Sequence, residues 1–302
     1  MKKTWWLASY PKSGNTWFRL LVANLRQDAP VDINALPRQG GIASARAWFD
    51  NAMLFPSGLL THEECDRLRP RVYASIAQGH EENAEERETA IDGIRFMKTH
   101  DAWTYTSDGE PLLGGRKGAD GAILIVRDPR DVAPSLANHG TKPIDESISF
   151  MSRADASFGG ERDRQPIQLR QQLPGWSGYN RTWLDQVDVP VHLVRYEDLQ
   201  ADTGGTFRSA LAFAGVEISA EEAARAARFA DFAELRKQEI DRGFREAPRT
   251  QPGGGFFRRG VSGAWLDELT SEQVARIEAD HAAMMRRLGY PLSNAGEERI
   301  AI

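Results

Sequence analysis

Between an apolar run, Thr4–Ala8, and an amphipathic run from Thr16 to about Arg26 stands Tyr10-Pro11-Lys12-Ser13-Gly14-Asn15-Thr16-Trp17, and this junction narrows what the chain can become. Trp5, Trp6 and Leu7 read as a buried strand, and Trp17, Leu20, Leu21 and Leu25 recur at helical spacing. Strand, tight turn and helix in so short a space leave unpaired backbone N–H groups at the positive end of a helix dipole. Gly14 lets another group approach the backbone and Lys12 adds a full charge, so the turn is a candidate anion site. The same residues also suit a plain capped turn that binds nothing. A Walker A loop has its lysine after the second glycine, directly before Ser or Thr, whereas Lys12 precedes Gly14.

The remaining elements predict an α/β fold, a single domain over 1–302 with a mostly parallel central sheet flanked by helices. Strands are expected at Ile94–Lys98, Ala122–Val126 and Val189–Tyr196, the second apolar enough to be buried on both faces. Helices are expected at Ser44–Phe55, about Asp131–Asn138 with Asp131 as N-cap, Ile144–Phe158, Trp176–Val187, Thr203–Ala214 and Phe232–Ile240. Three more open on capping boxes: Thr61 with Glu64, Ser219 with Glu222, and Thr270 with Gln273. Asp108-Gly109 and Gly114-Gly115 signal turns, Glu81–Glu88 is an acidic run, and Gly159–Gln172 reads as a mobile surface connection. Residues 241–263, with Gly253-Gly254-Gly255, form a lid-like loop. Lys12, His100 and Arg127 fall just beyond predicted strand ends, where ligands of open α/β sheets sit.

Composition limits the partners. Thirty-eight Lys and Arg against forty-three Asp and Glu give a net charge of −5, no electrostatic reason to seek nucleic acid or an anionic membrane. Any phosphate site is therefore local. One cysteine, Cys65, excludes an internal disulfide framework and a cysteine-rich metal cluster. No apolar run reaches the roughly 20 residues that span a bilayer, and no leader pattern opens the chain, so a cytoplasmic protein is expected.

Four segments carry candidate chemistry: Tyr10–Trp17; Lys98-Thr99-His100; Arg127-Asp128-Pro129-Arg130-Asp131-Val132-Ala133-Pro134-Ser135; and Phe257-Arg258-Arg259-Gly260-Val261-Ser262-Gly263-Ala264-Trp265. Histidine is suited to accept a hydroxyl proton near neutral pH, although a strand-end histidine is also a common packed residue. Arg127 at a strand end and Ser135 early in the next helix suit one phosphate gripped from two sides. In this order, spanning Leu7 to Trp265, the segments closely resemble those of the cytosolic-type sulfotransferases that use 3'-phosphoadenosine 5'-phosphosulfate (PAPS), and the chain looks like a bacterial member.

That resemblance implies a P-loop-like 5'-phosphosulfate loop made of Lys12, Ser13, Gly14, Asn15, Thr16 and Trp17. It implies a 3'-phosphate site of Arg127, Ser135, Arg258, Arg259 and Gly260. His100 takes the role of general base, Lys12 and Lys98 contact the donor or the transition state, and Trp17 and Tyr196 flank the adenine. PAPS is the donor, 3',5'-ADP the product, and no metal is implied. The acceptor is a small molecule, glycan or natural product, sulfated on a hydroxyl or, less readily, an amine. Its pocket falls to the variable stretches 28–93 and 140–175; aromatics such as Trp48, Phe49, Phe55, Trp103, Tyr105 and Phe150 suit such a pocket and suit the core equally. The family's lysine–threonine-valine–glutamate dimer motif is not matched, since Leu266, Thr270, Ser271 and Ala275 stand in its places. Two other classes stay open: a P-loop kinase or ATPase, which needs ATP and Mg²⁺, and an inactive nucleotide-binding protein.

Overall fold

A computed structural model describes residues 3–36, 41–79, 91–161, 166–247 and 255–293. Its centre is a four-stranded parallel sheet of β1 (Lys3–Ser9), β2 (Ile94–Thr99), β3 (Gly121–Val126) and β6 (Val191–Arg195), in the order β2-β1-β3-β6. Two short strands, β4 (Ser157–Phe158) and β5 (Gln171–Gln172), pair antiparallel outside it.

Strand alternation divides the core in two. Trp6 and Ala8 of β1, Met97 of β2, and Ala122, Leu124 and Val126 of β3 face one cluster. Trp5 and Leu7, with Ile94, Ile123, Ile125 and Val194, face the other. Onto the first side pack helices Arg46–Met53, His62–Ala77, Pro129–Gly140, Ile144–Ser152, Gly175–Asp185 and Ser271–Arg287. Asn15–Asn24, Tyr196–Ala201, Thr203–Phe213, Ala220–Phe229 and Phe232–Arg242 cover the second. A parallel sheet covered on both faces explains why β1 and β3 read as continuous apolar runs. All three expected capping boxes close with both reciprocal bonds.

Four expectations need correction. The helix after β3 begins at Pro129, and its N-cap is Asp128, whose carboxylate accepts the Arg130 N–H; Asp131 is inside the helix. Pro134 is therefore in the helix interior, where the missing N–H deprives the Arg130 carbonyl of its usual partner. Tyr196 opens a helix, since β6 stops at Arg195. The helix from Ile144 ends at Ser152, and the chain continues to β4. Finally, the described part of 159–172 is fastened: Leu169 N–H donates to the Ser44 carbonyl at 2.7 Å, and Gln171 pairs with Phe158. The Asp108-Gly109 turn is closed by Gly109 N–H to the Thr106 carbonyl, beside a bridge between Tyr105 and Pro111. The acidic run 81–88 and the Gly253-Gly254 pair lie outside the described residues.

Because all four central strands run parallel, Ser9, Thr99, Val126 and Arg195 end on the same edge of the sheet. That edge carries the site.

Candidate functional site

A cavity of about 650 Å³ opens at the carboxyl ends of the strands. Lys12, Gly14, Asn15, Thr16, Trp17, Lys98, His100, Arg127, Ser135, Tyr196, Arg258, Arg259 and Gly260 all line it. Ser13 does not; its side chain is fully buried beneath the turn with an unpartnered hydroxyl.

The turn after β1 is shaped by two residues in the left-handed region, Lys12 at φ 69° and Gly14 at φ 106°. A Cβ at Gly14 would stand 2.7 Å from the Tyr196 ring, so glycine is required by conformation and by space. Asn15 holds the turn to the sheet, its amide donating to the Leu7 carbonyl at 2.9 Å and to Ser9 Oγ at 3.3 Å. Thr16 faces the cavity. Lys12 rests its ammonium 3.9 Å from the centre of the Phe256 ring. Burial, then the charges of Lys98 and Arg127, lower its pKa to about 7, with Glu246 and Glu239 offsetting part of that. A partly buried lysine beside other cations is short of negative charge, and an anionic ligand supplies it.

His100 follows the end of β2. Its Nδ1 lies 2.7 Å from the Ser9 carbonyl, an oxygen that only accepts, so Nδ1 carries the proton and Nε2 the lone pair. Burial, reinforced by the Lys98 charge, lowers its pKa to about 3 against the opposing Ser9 bond, so the imidazole is neutral at physiological pH. The next residue is pinned: Asp101 is wholly buried, pairs with the equally buried Arg69 and accepts the Gln172 N–H at 3.1 Å. His100 is thus fixed from both sides, by Ser9 on β1 and by the Arg69–Asp101 pair.

On the far side Arg127 stacks over the Tyr196 ring at 4.3 Å and donates to the Val261 carbonyl at 3.2 Å. Asp131, freed from the capping role, accepts the N–H groups of Gly263 at 2.8 Å and Trp265 at 3.0 Å, fastening the glycine-rich segment to the helix. Gln200 completes the attachment through Ser262 and the Gly260 carbonyl. Gly260, at φ 65°, has the Phe232 ring where a Cβ would be. Arg258 and Arg259 are already paired, with Glu268 and Asp267 at 3.0 and 2.7 Å. Trp17 and Tyr196 touch each other at 5.5 Å between ring centres with planes 59° apart, and Trp17 Nε1–H donates to the Ala230 carbonyl, so they form no parallel-walled slot.

Further cavity residues escape the motif reading. His139 stands four residues after Ser135, one turn along the same helix face, and that i,i+4 spacing is a signal the sequence does carry. Burial, then Lys12 and Lys98, hold its pKa near 4, and its Nδ1 has no partner. Arg19 and Glu246 pair at 2.7 Å across 227 residues, a contact no local pattern announces. Ile42, Ala45, Phe158, Ile167, Gln168 and Gln171 also line the cavity, and they come from connections outside the central sheet, where Ala45 bridges Gln168 and Phe158 pairs with Gln171. Of the aromatics expected there, Trp48, Phe49 and Trp103 are buried in the core instead.

The sequence matches the model of the sulfotransferase domain family over residues 2–289. The chain belongs to the sulfotransferase family. It is 27% identical to sulfotransferase 2A6 of Rattus norvegicus over 174 residues, 56% of this chain and 57% of that protein, so the match spans little more than half of that relative. The same α/β fold recurs in retinol dehydratase, solved with androsterone and the inactive cofactor PAP, at a TM-score of 0.56 and 18% identity, covering 96% of this chain and 83% of that one. It recurs also in mouse sulfotransferase SULT7A1 complexed with PAP, at a TM-score of 0.55 and 18% identity, covering 98% and 88%. Among the described residues no helix is long and apolar enough to cross a membrane.

Proposed function

We propose that the chain transfers a sulfuryl group from PAPS to a hydroxyl of a small-molecule, glycan or natural-product acceptor, as one cytoplasmic domain over 1–302 with His100 as general base. The observation that supports this reading most is the pairing of a tautomer-fixed, neutral His100 with Lys12, Lys98 and Arg127 in one cavity.

The residues present fit the donor. Gly14 opens the helix Asn15–Asn24 from a left-handed turn with no side chain of its own, Lys12 makes no ion pair among the described residues, and Arg127 keeps an unpartnered Nε. Lys12, Thr16 and the first amides of the helix Asn15–Asn24 would hold the 5'-phosphosulfate. Arg127 and Ser135 would hold the 3'-phosphate, with Arg258 and Arg259 exchanging their carboxylate partners for it. When bound, PAPS supplies the activated sulfuryl group.

His100 Nε2 takes the acceptor's hydroxyl proton as that oxygen bonds to sulfur. Its Nδ1–H, anchored on Ser9, stabilises the imidazolium that results. Lys12 and Lys98 offset charge gathering on the bridging oxygen as the S–O bond breaks, and 3',5'-ADP leaves. The acceptor enters past Ile42, Phe158 and Ile167, an apolar wall whose polar exceptions, Gln168, Gln171 and His139, orient it.

The test is release of 3',5'-ADP from PAPS across a panel of phenols, sterols and amino sugars. Acceptor-dependent release that Arg127→Ala weakens and His100→Ala abolishes is the expected result. Release of ADP from ATP with magnesium, and none of 3',5'-ADP from PAPS, contradicts it.

A further inference from the structure

Among the described residues three carboxylates line the cavity: Asp131, Glu246 and Glu268. Asp131 is committed to the Gly263 and Trp265 amides, and Glu268 to Arg258. Glu246 differs, because Thr16 and Lys98 among its partners belong to the phosphosulfate end, whereas Glu268 faces the arginine assigned to the 3'-phosphate. Thr16 Oγ1 donates to its Oε2 at 3.3 Å, Lys98 Nζ lies 3.7 Å from the same oxygen, and Arg19 Nη1 donates to Oε1 at 2.7 Å. Thr16 opens the helix after the turn, and Lys98 is a side chain the reaction needs for a growing negative charge. Burial works against ionisation here, but Lys98, Arg19 and the Thr16 hydroxyl outweigh it and hold the carboxyl near 2, so Glu246 is an anion at any physiological pH.

We propose that Glu246 is a built-in competitor of the donor: its carboxylate occupies part of the phosphosulfate position until an anionic group of the nucleotide displaces it from Thr16 and Lys98. The inference rests on the sulfotransferase reading, and it adds a residue that sets nucleotide affinity and product release. A carboxylate and a phosphate cannot share one hydroxyl and one ammonium without close like-charge contact. Observed affinity is therefore the cradle's own affinity reduced by the population in which Glu246 fills it. The same exchange, run backwards, gives departing 3',5'-ADP a replacement and hastens its release.

Glu246→Gln is the informative variant, because the amide keeps a hydrogen-bond acceptor for Arg19 and Thr16 while losing the charge. Calorimetry on the full chain at fixed low salt, with 3',5'-ADP and separately with pyrophosphate as a probe lacking adenosine, is expected to give about tenfold tighter binding in the variant, equivalent to about 1.4 kcal/mol. Slower 3',5'-ADP dissociation in stopped flow is expected alongside. A thermal melt confirms the fold, and Glu246→Ala must tighten binding in the same direction. Unchanged or weaker binding of both probes overturns the proposal, weaker binding being the mark of a residue that positions Lys98 for the donor. If 3',5'-ADP binds neither protein while pyrophosphate binds the variant more tightly, the cradle competitor stands and the donor assignment falls.

Discussion

The two ends of the cavity are built in opposite ways. The end assigned to the donor hangs on the carboxyl termini of the central parallel strands, and its turns are locked by side-chain bonds to the backbone: Asn15 to Leu7, Asp131 to Gly263 and Trp265, Gln200 to Ser262. The end assigned to the acceptor is carried by connections, held through a bridge of Ala45 with Gln168 and the two-residue strands β4 and β5. Ile167, on its wall, is 86% exposed. An invariant, highly charged nucleotide demands fixed cations and open backbone, and a sheet edge supplies both rigidly. An acceptor end made of connections changes shape without disturbing that frame.

The contrast can be broken most forcefully at its boundary. His100→Ala is expected to lower kcat by about 10²- to 10⁴-fold with 3',5'-ADP affinity unchanged, which calorimetry beside steady-state rates would show. Lys12→Ala should lower kcat/KM for PAPS by about 10²- to 10³-fold and leave the unfolding midpoint in place, since among the described residues its ammonium makes no ion pair and rests on the Phe256 ring. Gly14→Ala, strained at φ 106° and crowded by Tyr196, should cost about 1–3 kcal/mol in urea unfolding and weaken 3',5'-ADP binding. Ile167→Ala should move only the acceptor KM, by less than about tenfold, because an exposed rim residue contributes little burial. A matching loss of nucleotide affinity in that last variant would erase the distinction between the two ends.

Protonation sharpens the same comparison. Lys12 is lowered from its ordinary 10.5 to about 7 in the ligand-free protein, and a bound phosphate raises it again. At pH 8 the free lysine is mostly neutral and the bound one charged, so 3',5'-ADP binding should take up close to one proton and weaken as pH rises through 7. Titrations in buffers of different ionisation heat measure that uptake, and its absence would show that Lys12 does not meet the nucleotide.

How much of this was legible beforehand follows the same division. That Lys12, His100 and Arg127 share one crevice was readable because each follows a strand that announces itself by an apolar run. Tyr196 was placed in a strand because β6 and the helix after it share an apolar face across Arg195, and only backbone geometry separates them. Asp131 was mistaken for the cap because Asp128-Pro129 and Asp131 are both good helix starters, and the structure uses the first. Glu246 and Arg19 meet across the whole domain, so their pairing is tertiary information. The acceptor wall was left open for a related reason: bulky aromatics such as Trp48 and Trp103 serve the core equally well, and side-chain type alone does not decide between core and pocket.

The central claim, that the charged end of the cavity holds a 3',5'-phosphorylated adenosine, is tested most directly by calorimetric titration of 3',5'-ADP into the protein and into Arg127→Ala, with ATP and magnesium in parallel. Tight 3',5'-ADP binding that the Arg127 variant loses, with ATP–magnesium much weaker, is the predicted result. Magnesium-dependent ATP binding with indifference to 3',5'-ADP would contradict it.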